Sequence, residues 1–401
     1  MALGIYISVP FCKTKCSYCN FASDVFSRAV FERYVERVCA DVASAAKTAQ
    51  EMGGQFEHEV DTIYLGGGTP TVLETGQLQR IFDAVRSQFQ VHPDAEVTVE
   101  CAPGTLGQEA LQALLRCGVN RVSLGVQSFV DAEAAAVGRL HKRSTVLDDI
   151  ARLRAAGIAN LNIDLIAGLP HQTARTWQQS LDETLATGAP HVSVYMLEVD
   201  EDSRLGREVM AGGKRYHAHF VPDEEATADF YLAACEQLDS AGVAQYEISN
   251  FARAGAESRH NLKYWTRQPY LGFGVDAHSM LVTSTAEAAA VRFATVDVLE
   301  KYVAGSPVQR TLVSHTAALE ESFFLGLRLN RGVSLGDVAA TFGQKAVDDL
   351  STVIAQLIAD ELLQRDGDLI RLTLRGRLLS NEVFQRFLAT SVVPIYVPTQ
   401  A

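Results

Sequence analysis

The chain has 401 residues, 47% of them hydrophobic, and its 48 acidic against 35 basic side chains give a formal net charge of −13. That length holds one large domain with a smaller one and that apolar fraction fills a core, while the acidic balance argues against a duplex nucleic-acid partner, whose phosphates need clustered Lys and Arg. No apolar run approaches the roughly 20 residues that span a bilayer, and the N-terminus lacks a basic region with a small-residue cleavage site, so a cytoplasmic location is expected.

The first predicted strand, Gly4–Val9, stops at Pro10, which cannot donate to a central ladder. Directly after it come Cys12, Cys16 and Cys19, in Cys12-Lys13-Thr14-Lys15-Cys16-Ser17-Tyr18-Cys19. Thiols in a loop above a strand end are free to converge on one metal centre. A disulfide would leave one over, and the chain's seven cysteines show no paired, secreted pattern. A structural zinc ion wants four ligands, and the next cysteine and the first histidine are Cys39 and His58. An iron–sulfur cluster held by three thiolates leaves one iron open to a small molecule. The cluster is the favoured reading and zinc the alternative.

Strand-like runs follow at Asp61–Leu65, Glu96–Glu100, Arg121–Val126, Asn160–Leu165 and His191–Leu197. Helical patterns lie between them at Phe31–Gln50, Thr75–Phe89, Gly107–Cys117, Thr145–Ala156 and Thr173–Thr187. Six strands, each but the last followed by a helix, imply an α/β fold with a parallel sheet. The pattern leaves open a doubly wound sheet or a partial barrel; either puts ligands at the C-terminal strand ends. Polar residues gather there: Gly66-Gly67-Gly68-Thr69-Pro70-Thr71 after strand two, Glu100, Gln127, Asp164 and Tyr195. Such groups in apolar strands are costly unless paired, and several in register point to a lined cavity. Alternation puts Asn162 and Asp164 on one face.

From Asp200 to Phe220 the pattern breaks, and Gly212-Gly213 with Tyr216-His217-Ala218-His219 suggests a flexible surface insertion. Pro222 and Gly242 bracket a helix. Polar–aromatic stretches follow at Tyr246–Phe251 and Arg259–Trp265, then Gly272-x-Gly274 and Ala277-His278-Ser279. Taken singly, Arg139 reads as a solvated helix end, His217 and His219 as loop histidines, and His260 as a capping histidine. From about Val308 the chain reads as helices Leu319–Leu329, Ser334–Phe342 and Lys345–Asp360. A wing at Leu369–Leu374, with its turn at Arg375-Gly376-Arg377, and a last helix to about Phe387 complete a winged-helix pattern. The expected units are a core over 1–240, a connecting region over 241–305 and the small domain over 306–388. Arg371, Arg375 and Arg377 suit a surface or interdomain role better than nucleic acid.

Cys-x3-Cys-x2-Cys with Tyr18 before the third cysteine resembles the radical S-adenosylmethionine (SAM) superfamily. The resemblance implies a partial (β/α)6 barrel, a [4Fe–4S] cluster on Cys12, Cys16 and Cys19, and SAM on its open iron. The Gly-Gly-Gly-Thr-Pro run is similar to that superfamily's glycine motif. With Gly125–Phe129, Asn162–Pro170, Tyr246–Phe251 and His260-Asn261-x-x-Tyr264-Trp265, the chain resembles the coproporphyrinogen III oxidase group nearly end to end, and most of all its heme-chaperone branch.

Carried over residue by residue, the resemblance implies that Tyr6 and Tyr18 flank SAM and that Gly67, Gly68 and Thr69 contact its methionine part. Glu100, Gln127, Arg139 and Asp164 would bind one or two SAM molecules, and His260, Asn261, Tyr264 and Trp265 would form the heme motif. The oxidase pattern ends in Cys-x-Cys where this chain has Cys19-Asn20-Phe21, and the oxidase carries a longer N-terminal extension. Ser8 and Ala102 depart from the group's usual His and Asn. The expectation is a protein that binds heme as cargo and hands it to respiratory hemoproteins, membrane-associated ones included, with oligomerisation, as a homodimer, one mode of control. The alternatives are an oxidase that decarboxylates porphyrinogen propionates and a radical SAM methyltransferase.

Overall fold

The computed structural model describes residues 1–283 and 287–388. Six strands follow the expected order: β1 (Leu3–Val9), β2 (Glu59–Gly67), β3 (Gln90–Cys101), β4 (Arg121–Gln127), β5 (Asn160–Ala167) and β6 (His191–Met196). They pair in parallel and lie side by side in sequence order. Right-handed crossovers that always step the same way return their helices to one face of the sheet. With no reversal of order there is no switch point of the doubly wound kind. The result is the partial barrel, an arc with helices outside and a concave face within.

On β1, Leu3, Ile5, Ile7 and Val9 are fully buried under the helices, so Gly4, Tyr6 and Ser8 turn to the concave side. Register carries that face across the arc in layers. Tyr6 pairs with Tyr64, Tyr64 with Thr98 and Thr98 with Arg121, and the next layer holds Gly66, Glu100, Ser123, Asn162 and His191. The inner face is therefore polar along six strands.

The sheet does not close. Beside β6 it adds β7 (Ala244–Gln245) and β8 (Asn250–Ala252); beside β1 it adds β9 (Tyr270–Gly274), β10 (His278–Val282), β11 (Ala290–Ala294) and β12 (Gln309–Val313). The whole is a mixed twelve-stranded sheet. Beyond it, β13 (Val333–Ser334), β14 (Leu363–Asp366) and β15 (Leu369–Leu372) form a small antiparallel sheet with helices His315–Gly326, Leu335–Phe342 and Gln344–Ala359. Phe323, Leu327, Ile354, Leu357 and Ile370 fill a separate core there.

Three expectations need correction. The helix over Phe31–Gln50 is two helices, Ala29–Ala43 and Ala45–Met52, because the Ser44 hydroxyl turns back to the Ala40 and Asp41 carbonyls. The stretch from Asp200 to Phe220, expected as a flexible surface insertion, has regular structure. It holds the helix Arg204–Met210, capped by Ser203, and the 3-10 turn Arg215–Phe220. The wing turns at Gly367 (φ 58°), and Arg375–Arg377 lie in the short helix Leu374–Leu378. Arg377 donates from Nη1 to Gln245 Oε1 on β7 at 2.7 Å.

Candidate functional site at the mouth of the arc

The cysteine loop leaves β1 at its C-terminal end and is tied down on every side. Lys15 Nζ donates to the Phe21 and Ser23 carbonyls at 2.7 and 2.6 Å. Ser17 N–H donates to Val137 O, and Leu205 N–H donates to Ser17 O. Asn20 Nδ2 reaches Asp200 Oδ2 at 2.5 Å. Cys12, Cys16 and Cys19 are free, half-exposed thiols. Loss of solvation pushes the Cys12 and Cys19 thiols up, and their sulfurs act on one another, so they share one neighbourhood. Among the described residues no three His, Cys, Asp or Glu side chains stand where they could share one metal ion. A cluster takes each thiolate on a separate iron, so its ligands stand farther apart than those of tetrahedral zinc.

The glycine run lies against this loop. Gly68 N–H donates to Val9 O and Thr69 N–H to Phe11 O, both at 2.7 Å. A Cβ on Gly68 would stand 2.7 Å from Phe11 O and 3.0 Å from Cys12 Sγ. Only bare backbone fits there.

Glu100 joins two elements. It accepts from the Tyr64 hydroxyl at 2.9 Å and from Gly67 N–H at 3.1 Å. Loss of solvation pushes its carboxyl up to about 8; the Tyr64 hydrogen bond opposes this and the Asp164 carboxylate adds to it. Asp164 accepts from Ser123 Oγ at 3.0 Å and Asn162 Nδ2 at 2.6 Å, and loss of solvation raises it too. Gln127 sits at φ 68° where the β4–β5 register slips. A left-handed glutamine at a strand end is the kind of strain that clusters at binding sites. Arg139 faces Tyr18, and its Nε is buried without a hydrogen-bond partner.

From Asp164 a hydrogen-bonded chain runs back toward the N-terminal ends of the strands. Asn162 Oδ1 accepts from His191 Nδ1 at 2.6 Å, and His191 Nε2 accepts from the Tyr246 hydroxyl at 2.9 Å. Tyr64, Ser123 and His191 escape a motif reading of the sequence. The signal that finds them is register, since Ser123 and His191 share a layer with Glu100 and Tyr64 lies opposite Tyr6.

The His260 segment lies at the other end of the arc. The helix Arg259–Trp265 seats its N-terminus on Glu96, which accepts from Arg259 and His260 N–H. His260 is 1% exposed; Nδ1 bonds Thr62 Oγ1 at 2.9 Å and Nε2 bonds the Tyr264 hydroxyl at 2.8 Å. Loss of solvation, with Lys263 and Arg121 nearby, lowers it to about 3. Lys263 Nζ pairs with Asp61 at 2.7 Å. Trp265 is buried under the Arg328 guanidinium, 4.3 Å from its ring centroid. Asn261 N–H takes the Ser258 cap. Tyr6 and Tyr64 lie between this helix and the glycine run: their rings stand 6.3 and 5.4 Å from the His260 ring, and the Tyr64 hydroxyl bonds Glu100. The expected SAM residues other than Tyr6 thus lie at the mouth, and the expected heme motif lies on the floor, next to them through Tyr64.

The Radical SAM superfamily matches residues 6–184, and the HemN C-terminal domain matches residues 313–379. The heme chaperone HemW of Bacillus subtilis is 35% identical over 387 residues, covering 96% of this chain and 98% of that protein. The chain belongs to the HemW family of the radical SAM superfamily. The Escherichia coli heme chaperone HemW is 33% identical over 277 residues, 69% of each chain. Among solved structures, E. coli coproporphyrinogen III oxidase (HemN), described as a radical SAM enzyme, superposes with a TM-score of 0.82 over 96% of this chain and 90% of that one. At 22% identity, that likeness shows the fold. Among the described residues no helix is long and apolar enough to cross a membrane.

Proposed function

We propose that this member of the HemW family takes up heme and passes it to hemoproteins, respiratory ones included, and that its mouth holds a [4Fe–4S] cluster and SAM. The observation that carries the reading is the near full-length similarity to proteins named heme chaperones, joined to a mouth whose donors fit the two cofactors. Arg139 Nε is buried with no partner, and the cradle at Gly68 would be filled by a Cβ. Cys12, Cys16 and Cys19 would hold the cluster. Gly67, Gly68 and Thr69 would offer backbone to the methionine part of SAM, and Glu100 and Asp164 would accept hydrogen bonds from its amino or hydroxyl groups. Arg139 and Gln127 would face its carboxylate and Tyr18 its flank. When bound, the pair supplies one-electron reductive chemistry to the site.

One feature of the cysteine loop favours the chaperone over the oxidase: Phe21 stands where the oxidase pattern has its last cysteine. The test is an anaerobic heme titration of the cluster-reconstituted protein, read at the Soret band. Saturable one-to-one binding is expected. No saturable binding in any cluster state would overturn the reading, and coproporphyrinogen III would then be the first substrate to assay for decarboxylation.

A further inference from the structure

Beside the cysteine loop lies an open cavity of about 580 Å³, within the range of small-molecule sites. Its wall carries the stretch that sequence alone reads as loop histidines: Tyr216, His217, His219 and Phe220, facing Lys15, Ser17 and Gly138 across the space. Resting on the heme-trafficking reading, we propose that this cavity is the seat of the heme, with His217 as the axial ligand of its iron and His171 as the positioning residue behind it.

Four observations carry this. First, His217 Nδ1 and His171 Nε2 are 3.0 Å apart, and His217 Nε2 has no partner among the described residues. An imidazole that gives one N–H to a neighbour and keeps the other nitrogen open is the arrangement iron-bound histidines use. Second, the backbone is strained where the pair is made. Tyr216 (φ 53°), His217 (φ 59°) and His171 (φ 69°) are all left-handed non-glycine residues, and His171 N–H donates to Phe220 O at 2.9 Å, fixing one segment to the other. Strain concentrated on ligand-bearing side chains points to binding.

Third, the wall is aromatic and exposed. Tyr216 is 41% and Phe220 47% exposed, and His171 and His219 pack on the Phe220 ring with centroids 4.0 Å from it, which leaves the Tyr216 ring and the imidazole–phenyl stack for a flat macrocycle to meet. Fourth, Arg204 and Lys214 line the same cavity, and neither is in an ion pair among the described residues. On a protein of net charge −13, two unpaired cations at one rim suit the two carboxylates of heme. His260 offers none of this, since both its ring nitrogens are engaged on the floor.

The test is the anaerobic heme titration of the full-length, cluster-reconstituted protein with His217→Ala, His217→Gly, His171→Ala and His260→Ala beside the wild type. His217 and His171 are in surface segments, and matched melting curves confirm that each variant is folded. In His217→Ala the affinity is expected to fall at least about tenfold with a shifted Soret band, and in His171→Ala less. Added imidazole is expected to restore the band of His217→Gly, and His260→Ala should titrate like the wild type. A His217→Ala protein with wild-type affinity and Soret position would overturn the assignment and leave heme binding standing. Loss confined to His260→Ala would overturn it and move the heme to the floor. A wild type that does not saturate would overturn the heme reading itself.

Discussion

At the floor of the arc, His260 gives one ring nitrogen to Thr62 and the other to Tyr264, and Glu96 accepts the helix's first N–H groups. At the mouth, Arg139 keeps a buried Nε with no partner, Gln127 is held at φ 68°, and Glu100 is pushed up to about 8. Both regions are polar and both lie on the concave face. The His260 ring is held by completed hydrogen bonds, the construction that specifies one packed arrangement, although Trp265 Nε1, Thr98 Oγ1 and Arg121 Nε are buried nearby without a partner. The mouth adds to its unpartnered group a strained backbone at Gln127 and a raised carboxyl at Glu100. The most specific motif of the chain's second half, His260–Trp265, thus occupies the less available site, while residues that look ordinary singly, such as Arg139 and His217, carry open valences.

Variants at the two ends should therefore fail differently. The largest effect is expected for Cys12→Ser, Cys16→Ser and Cys19→Ser combined. Iron bound after anaerobic reconstitution should fall to background, read by iron assay and visible absorption, while the apo-protein's melting curve stays put. A triple variant that still takes up a full cluster would break the assignment of the mouth. Trp265→Ala should do the reverse. Its ring packs with Phe324, Leu325 and Leu329 and lies under Arg328, so truncation is expected to cost about 3–5 kcal/mol. Urea unfolding measures that loss, and iron uptake at low temperature should be unchanged. An equal loss of cluster would mean that the two ends are coupled.

How much of this was legible in the sequence follows from where the signals are local. The six strands are apolar runs with period-two polar faces, and their existence and order can be read directly. So can the cysteine loop, because its spacing is covalent. What extends the arc beyond β1 is β9, and its pairing with β1, Gly4 opposite Tyr270 through Ser8 opposite Gly274, is long-range information that no local pattern holds. The break at Ser44 is a single side-chain hydrogen bond competing with a helix that propensity favours. The histidine pair was hidden for a similar reason. His171 and His217 lie 46 positions apart, and nothing in Tyr216–Phe220 announces a partner across the surface.

Glu100 gives a smaller, signed effect. Its folded pKa of about 8 stands above the 4.5 of an unperturbed glutamate. Between those values the native carboxyl keeps a proton that the unfolded chain has released, so stability falls as pH rises from about 4.5 to 8 and is flat outside that window. The limiting slope for one such group is about 1.4 kcal/mol per pH unit. Glu100→Gln stays neutral at every pH, so its urea midpoints should lack this slope and the difference from the wild type should carry it. A parallel pH profile for the two proteins would show that Glu100 titrates as an ordinary carboxylate in the apo-protein, and its hydrogen bond from Tyr64 would then be charge-assisted.

The smallest effect tests the comparison by sign. Gln127 spends its left-handed backbone on presenting a side chain beside Gly125 and Arg139. Gln127→Gly removes the Cβ that makes φ 68° unfavourable, and it also frees the unfolded chain. The two terms oppose, so the apo-protein's stability should move by less than about 1 kcal/mol. SAM affinity, measured by calorimetry on the cluster-loaded protein, should drop, because an amide that faced the ligand is gone. A floor residue cannot behave this way, since His260→Ala leaves Thr62 and Tyr264 without their buried partner, at about 1–3 kcal/mol. If Gln127→Gly instead destabilised the apo-protein by that amount and bound SAM normally, the strain at the mouth would belong to the fold and not to the ligand.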